Sequence, residues 1–179
     1  MKAPLLHGDR LELKPLAEDD LDALHRIVST PEVARWWNPH TRDSLDDWLA
    51  EDDMIRWTIW VDSEPAGKIQ AHEENDADFR HAAIDLFLAP ERHGRGLGRE
   101  SVHLVARWLV DERGHHRVVI DPALRNERAI RCYESVGFRR VGVMRRYWFD
   151  RSTGEWADGL LLDLLADELV SPTSGAVRS

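Results

Sequence analysis

"HGRGLGRESVHLVARW", residues 93–108, sets Gly94, Gly96 and Gly98 on alternate positions and then enters a helical apolar pattern. Val102, Val105, Ala106 and Leu109 fall at i, i+3, i+4 and i+7, so residues 99–112 read as an amphipathic helix. Before the glycines, residues 81–88 alternate. Ile84, Leu86 and Leu88 share one face, Asp85 and Phe87 the other, as a strand requires. Glycines between strand and helix let the backbone turn tightly and approach a ligand closely. The helix behind them offers unpaired N–H groups and the positive end of its dipole, a combination that suits phosphate. Arg92, Arg95 and Arg99 add charge at the same point. A turn that needs glycine for geometry alone is the competing reading of the spacing. Two better-known phosphate loops are excluded. The G-x-x-x-x-G-K-[ST] spacing is absent, and the third glycine comes one residue early for G-x-G-x-x-G.

Outward from this segment, residues 10–16 alternate as a strand, and Leu21, Leu24, Ile27 and Val28 recur at helical spacing until Pro31. A short helix is expected at 45–49. Strands are expected at 57–61 and 66–72, on either side of the turn "DSEPAG". "RVVI", ending at Ile120, is a short apolar strand of the buried kind. Asn126 is a good N-cap for a helix carrying Ala129, Ile130, Tyr133 and Val136, and Gly137 a good residue to end it. Two further strands follow, the last near 156–164. The expected fold class is α/β, one mixed sheet of about seven strands with flanking helices. A single domain over 1–170 is expected, with residues 171–179 expected to be a loose tail.

The 179 residues are 42% hydrophobic and 32% charged, ordinary values for a soluble globular chain. No apolar run reaches the roughly 18 residues a membrane span needs, and the first ten residues show no signal-peptide pattern. A single cysteine, Cys132, forms no intrachain disulfide, which points to the cytoplasm. The formal net charge of −9 argues against a nucleic-acid partner, since binding phosphate backbones relies on Lys and Arg. It suits a cationic small molecule. The nine histidines show no metal-ligand spacing with carboxylates, so no metal is expected.

"LFLAPERHGRGLGRE" followed by a helix resembles the acetyl-CoA loop of the GCN5-related N-acetyltransferase (GNAT) superfamily. Gly96 and Gly98 match the last two fixed positions of its [Q/R]-x-x-G-x-[G/A] pattern, while His93 stands where Gln or Arg is usual. "DPALRNERAIRCYESVGF" is similar to a second family segment, with Asn126, Ala129, Tyr133, Gly137 and Phe138 in place. The resemblance is greatest to aminoglycoside 6′-N-acetyltransferases, through "VARWWNPH" and "AAIDLFLA" as well. It implies a sheet splayed between the fourth and fifth expected strands, with acetyl-CoA as co-substrate. The implied acetyl-CoA contacts are Phe87, Leu88, His93, Gly94, Arg95, Gly96, Leu97, Gly98 and Arg99, with Asn126 and Tyr133 from the second segment.

Acetyl transfer to an amine requires that the amine lose a proton and that the leaving thiolate gain one. Tyr133 is the candidate donor, because a phenol with pKa about 10 keeps its proton at neutral pH. Asp85 is the candidate base, or the anchor of the ammonium, since a carboxylate on an apolar strand must be paired, solvated or functional. Asp121, at the end of the neighbouring strand, would face the same cleft. Trp36 and Trp37 would wall the pocket. The acidic stretches at 51–53 and 73–78, Glu73 first, would receive a polycation. The expected activity is acetyl transfer from acetyl-CoA to a primary amine, the 6′-amine of an aminoglycoside, by direct attack in a ternary complex. The alternatives are an enzyme acting on protein N-termini or other small amines, and a non-catalytic acyl-CoA-binding module. A monomer or a homodimer is equally compatible with the sequence.

Overall fold

The alternating stretches of the first half form an antiparallel meander. It runs through β1 (Leu6–His7), β2 (Glu12–Pro15), β3 (Met54–Val61), β4 (Glu64–Glu74) and β5 (His81–Leu88). In this computed structural model, which describes residues 3–38, 40–50 and 53–169, the sheet continues through β6 (Arg117–Ile120), β7 (Arg139–Asp150) and β8 (Glu155–Leu165). The spatial order is β1-β2-β3-β4-β5-β6-β8-β7, eight strands rather than seven. The extra strand is β1, whose two residues are too short to carry a sequence period. The expected tail at 171–179, and Glu51 and Asp52, lie outside the described residues.

The hairpin between β3 and β4 is tighter than its composition suggests. Asp62 and Ser63 both take positive φ (53° and 65°), so β4 starts at Glu64 inside the expected turn. Paired positive φ values match the right-handed twist of the flanking strands.

α1 (Leu21–Val28), α2 (Pro31–Trp37) and α3 (Asp47–Ala50) cover one face, where Leu21, Leu24, Val28, Val33, Leu45, Trp48 and Phe87 form a compact apolar cluster. Pro31 does not merely stop α1. It opens α2, because a residue without N–H fits the first helical turn, where that N–H has no partner. α4 (Leu97–Asp111) and α5 (Glu127–Val136) bury Val102, Val105, Leu109, Ile130 and Val136 in the main core with β3, β4, β6 and β8. Among the described residues, no helix is long and apolar enough to cross a membrane.

The feature that positions the site is the parallel junction of β5 and β6. Only Ala82↔Val118 and Ala83↔Val119 pair across it. Beyond Ala83, β5 stays in register with β4 out to Gly67↔Leu88, while β6 runs on with β8. The sheet therefore opens where Asp85, Leu86, Phe87 and Leu88 follow one another.

Candidate active site

The glycine segment leaves β5 through a short turn at Pro90–Arg92 and enters α4. Gly94 (φ 72°) and Gly96 (φ 76°) take left-handed backbone angles that cost other L-residues roughly 1–2 kcal/mol. Gly96 is the N-cap, so α4 begins at Leu97, two residues before the apolar period reveals it. The first-turn N–H groups of α4 are thereby presented at the loop. His93 braces this turn. Its Nε2 lies 2.9 Å from the Leu88 carbonyl oxygen, so it is the protonated nitrogen and donates there. Burial, and then the nearby Arg128, hold the His93 pKa below its ordinary value.

Sequence reasoning missed Arg10, which holds the loop from below. Its Nη1 donates to the Arg95 carbonyl at 2.6 Å, and its guanidinium pairs with Glu100 at 2.8 Å. No local pattern marks this contact, since it joins residues 85 positions apart.

A cavity of about 360 Å³ lies between this loop, the open edge of β5, α2 and one face of α5. Of the eleven residues expected to hold acetyl-CoA, all but Arg95 line it. The structure shows the Arg95 carbonyl turned to Arg10 instead. Arg128, Arg131, Cys132 and Ser135 also line it, at helical spacings that put them on one side of α5. Burial pushes the Cys132 thiol up to about 11, against the pull of Arg99 and Arg128.

A second cavity, of about 320 Å³, adjoins the first. Trp36, Trp37, Leu86, Asn126 and Tyr133 line both. Its acid groups are Asp85, from the middle of β5, and Asp121, just past the end of β6. Burial, then the neighbouring charge of Asp121, raises the Asp85 carboxyl to about 6. The Nε2 of Gln70 lies 3.4 Å from its Oδ2 and works against that rise. Burial also raises Asp121, opposed by the hydrogen bond it accepts from the Tyr147 hydroxyl. Tyr133 is buried on α5, and that burial lifts its phenol far above its ordinary pKa. It carries its proton at neutral pH.

The roof of this cavity comes from a distortion in β7. The β7–β8 register slips between Met144 and Trp148, and Arg146 takes φ 52° with its N–H on Asp158 at 2.8 Å. The bulge turns Tyr147 back over Gly159, where a Cβ would stand 2.8 Å from the Tyr147 ring. Trp37 packs edge-on against Phe87 at 5.0 Å and donates from Nε1 to the Leu86 carbonyl at 3.2 Å. Trp36, on the same wall, carries Arg35 and Arg125 over its ring.

The structure does not bring Glu73 to this place. Glu73 stands three residues beyond Gln70 on β4, and an odd separation along a strand turns a side chain to the opposite face. There it accepts from Arg113 at 3.0 Å and meets buried His115 at 2.8 Å. Burial alone would raise its pKa, but these two hydrogen bonds pull it below the usual carboxylate value. It is a structural ion pair. Glu74, Asp76 and Asp78 form a turn closed by its own hydrogen bonds and line neither cavity.

Comparison with known proteins accords with this geometry. A family model described as an acetyltransferase (GNAT) domain matches residues 10–139. Aminoglycoside N(6′)-acetyltransferase type 1 of Klebsiella pneumoniae is 28% identical over 158 residues, covering 76% of this chain and 78% of that protein. Spermidine N(1)-acetyltransferase of Escherichia coli (strain K12) is 25% identical over 146 residues, covering 78% of each. The structure of AAC(6′)-Ib in complex with paromomycin and acetyl-CoA superimposes with a TM-score of 0.76. It is 23% identical and covers 94% of this chain and 100% of that one.

Proposed function

The chain belongs to the GNAT acetyltransferase family, and on that premise we propose that it acetylates a cationic primary amine, the 6′-amine of an aminoglycoside, by direct attack with both substrates bound. The observation that carries this reading is the meeting of two cavities at Tyr133, with Asp85 and Asp121 in the second.

The first cavity fits acetyl-CoA. Its loop presents helix N–H groups and glycines in left-handed conformation, and Arg92, Arg99, Arg128 and Arg131 supply positive charge. Leu86, Phe87, Leu88 and Leu97 give it apolar walls. Acetyl-CoA supplies an activated acetyl thioester, and the chain supplies position and proton management. Past Ala83 the β6-facing edge of β5 is open toward the cavities and offers backbone donors to the pantetheine amides and the thioester carbonyl. Tyr133 donates its phenolic proton to the leaving sulfur. Asp85, ionised above about pH 6, holds the ammonium and accepts a proton as the amine attacks. Cys132 takes no covalent part, because a thiol with a pKa of about 11 stays protonated at neutral pH.

Gly96→Val tests the loop. The added Cβ stands 3.0 Å from the Arg10 guanidinium that braces the loop, and a β-branched residue at φ 76° distorts the phosphate cradle; a circular-dichroism melt checks that the variant folds. The affinity for acetyl-CoA, read by calorimetry, should fall at least about tenfold for roughly 1.4 kcal/mol of lost binding. Unchanged affinity would place the pyrophosphate elsewhere.

The aminoglycoside reading draws on the acidic, aromatic-walled second cavity and on the Klebsiella relative. The spermidine relative makes a linear polyamine the second reading. NMR of the product formed from kanamycin decides between them. Acetyl on the 6′-nitrogen supports the proposal. Acetyl on another ring, or turnover of spermidine or peptide N-termini alone, rejects the 6′ assignment and leaves the acetyltransferase intact.

A further inference from the structure

Lys68 lies in the middle of β4 and is fully buried. Its Nζ sits 3.6 Å above the Trp48 ring and 4.9 Å from that of Trp37, two aromatic faces that hold a cation. Across the β4–β5 ladder, Lys68 pairs with Phe87 and Gln70 pairs with Asp85, so these four side chains share one face of the sheet. Lys68 Nζ donates to Gln70 Oε1 at 2.7 Å, and Gln70 Nε2 points to Asp85 Oδ2 at 3.4 Å. Of these, Gln70 and Asp85 line the acceptor cavity and Lys68 does not.

An amide has one acceptor end and one donor end. With its oxygen engaged by an ammonium, which can only donate, Gln70 has one orientation available, the one that aims N–H at the carboxylate. The reverse orientation would set the Gln70 oxygen against Asp85 and leave the amide N–H₂ facing the Lys68 cation. We propose that Lys68 is a positioning residue for acetyl transfer that acts through Gln70. It fixes the amide so that one carboxylate oxygen of Asp85 is tethered and the other is free for the incoming amine. This inference rests on the reading of Asp85 as the group that meets the amine.

The charges that face Asp85 are few among the described residues. Asp121, at the end of β6, opposes its ionisation, and so does burial. The hydroxyls of Tyr133 on α5 and Tyr147 on β7 are both held protonated. Lys68 and Gln70, from β4, are the two groups that favour the carboxylate. Around Lys68 itself stand Arg56 and Thr58 on β3, Asp20 on the Thr58 hydroxyl, and His40, whose pKa is lowered by burial first and by Lys68 next. The sign follows. Loss of Lys68 raises the Asp85 pKa and moves the acidic limb of activity upward.

The test is the pH profile of kcat/KM for the amine in Lys68→Met, Gln70→Leu and the double variant, with the acetyl-CoA KM read alongside. Lys68→Met should shift the acidic limb up by about one pH unit, an approximately tenfold loss on that limb. The acetyl-CoA KM should stay put, and Lys68→Arg should restore the profile. Gln70→Leu should give a similar shift, and Lys68→Met should add to it less than it gives alone, since only the direct charge of Lys68 then remains to be lost. An unmoved limb, or two shifts that simply add, would overturn the inference. If Lys68→Met does not fold, Gln70→Leu alone decides: an unchanged profile rejects the relay. Asp85→Asn separates this failure from a deeper one. If it removes the acidic limb while Lys68→Met does nothing, only the Lys68 role is lost. A limb that survives Asp85→Asn overturns the Asp85 reading and the inference with it.

Discussion

Tyr133→Phe is expected to lower kcat by about 10²–10⁴-fold, the usual worth of a positioned general acid, while acetyl-CoA affinity stays within about threefold. The expectation follows from where α5 places the ring. Tyr133 is buried against Phe138, with centroids 6.4 Å apart, and lines the wall shared by the two cavities. Burial, followed by the nearby Cys132, Asp85 and Asp121, keeps the phenol protonated at any pH the protein tolerates. Phenylalanine keeps the ring and removes only the hydroxyl that carries the proton. Stopped-flow thiol release with saturating amine reads the chemical step, and calorimetry reads binding. Equal losses in both would make Tyr133 a wall of the binding site rather than a donor. An unchanged kcat would remove it from the mechanism.

Asp85→Asn should reduce kcat/KM for the amine by about 10²–10³-fold, since it deletes both an attraction for the ammonium and an acceptor for its proton. The pH dependence carries a second, independent signature. Asp85 titrates in the folded state at about 6, above the ordinary carboxylate value, because burial and Asp121 disfavour its charge. A carboxyl whose folded pKa is raised adds no penalty below its unfolded pKa. It destabilises the fold progressively as pH rises from the unfolded value to the folded one, and by a constant amount above that. Asp85→Asn should therefore raise the melting temperature at pH 8 and leave it unchanged near pH 3.5. Activity lost and stability gained in the same variant is the pattern of a group kept for chemistry. Stability lost at both pH values would make Asp85 structural.

The local features of this protein were legible in its sequence. The glycine loop, the Asn126 cap, whose side chain accepts from the Ala129 N–H at 3.2 Å, and the face of α5 that bears Tyr133 all depend on neighbours within a few residues. The position of Asp85 on an otherwise apolar strand was equally visible. The lost information was long-range. Charge alone points Glu73 to the acidic site, and only the pairing of Gln70 with Asp85 shows that Glu73 turns away to Arg113 and His115. Arg10 reaches the loop from the far end of the chain, and Tyr147 reaches Asp121 through a bulge that β-propensity cannot express. Register and bulges are set by contacts between strands, which a single sequence does not record.

The central claim is that two adjoining cavities hold acetyl-CoA and amine together, so that transfer is direct. Initial rates of thiol release, with both substrates varied in a grid, test it at once. Double-reciprocal lines that intersect are the predicted result, the signature of a ternary complex. Parallel lines would mean that the acetyl group passes first to the protein, and would contradict the account.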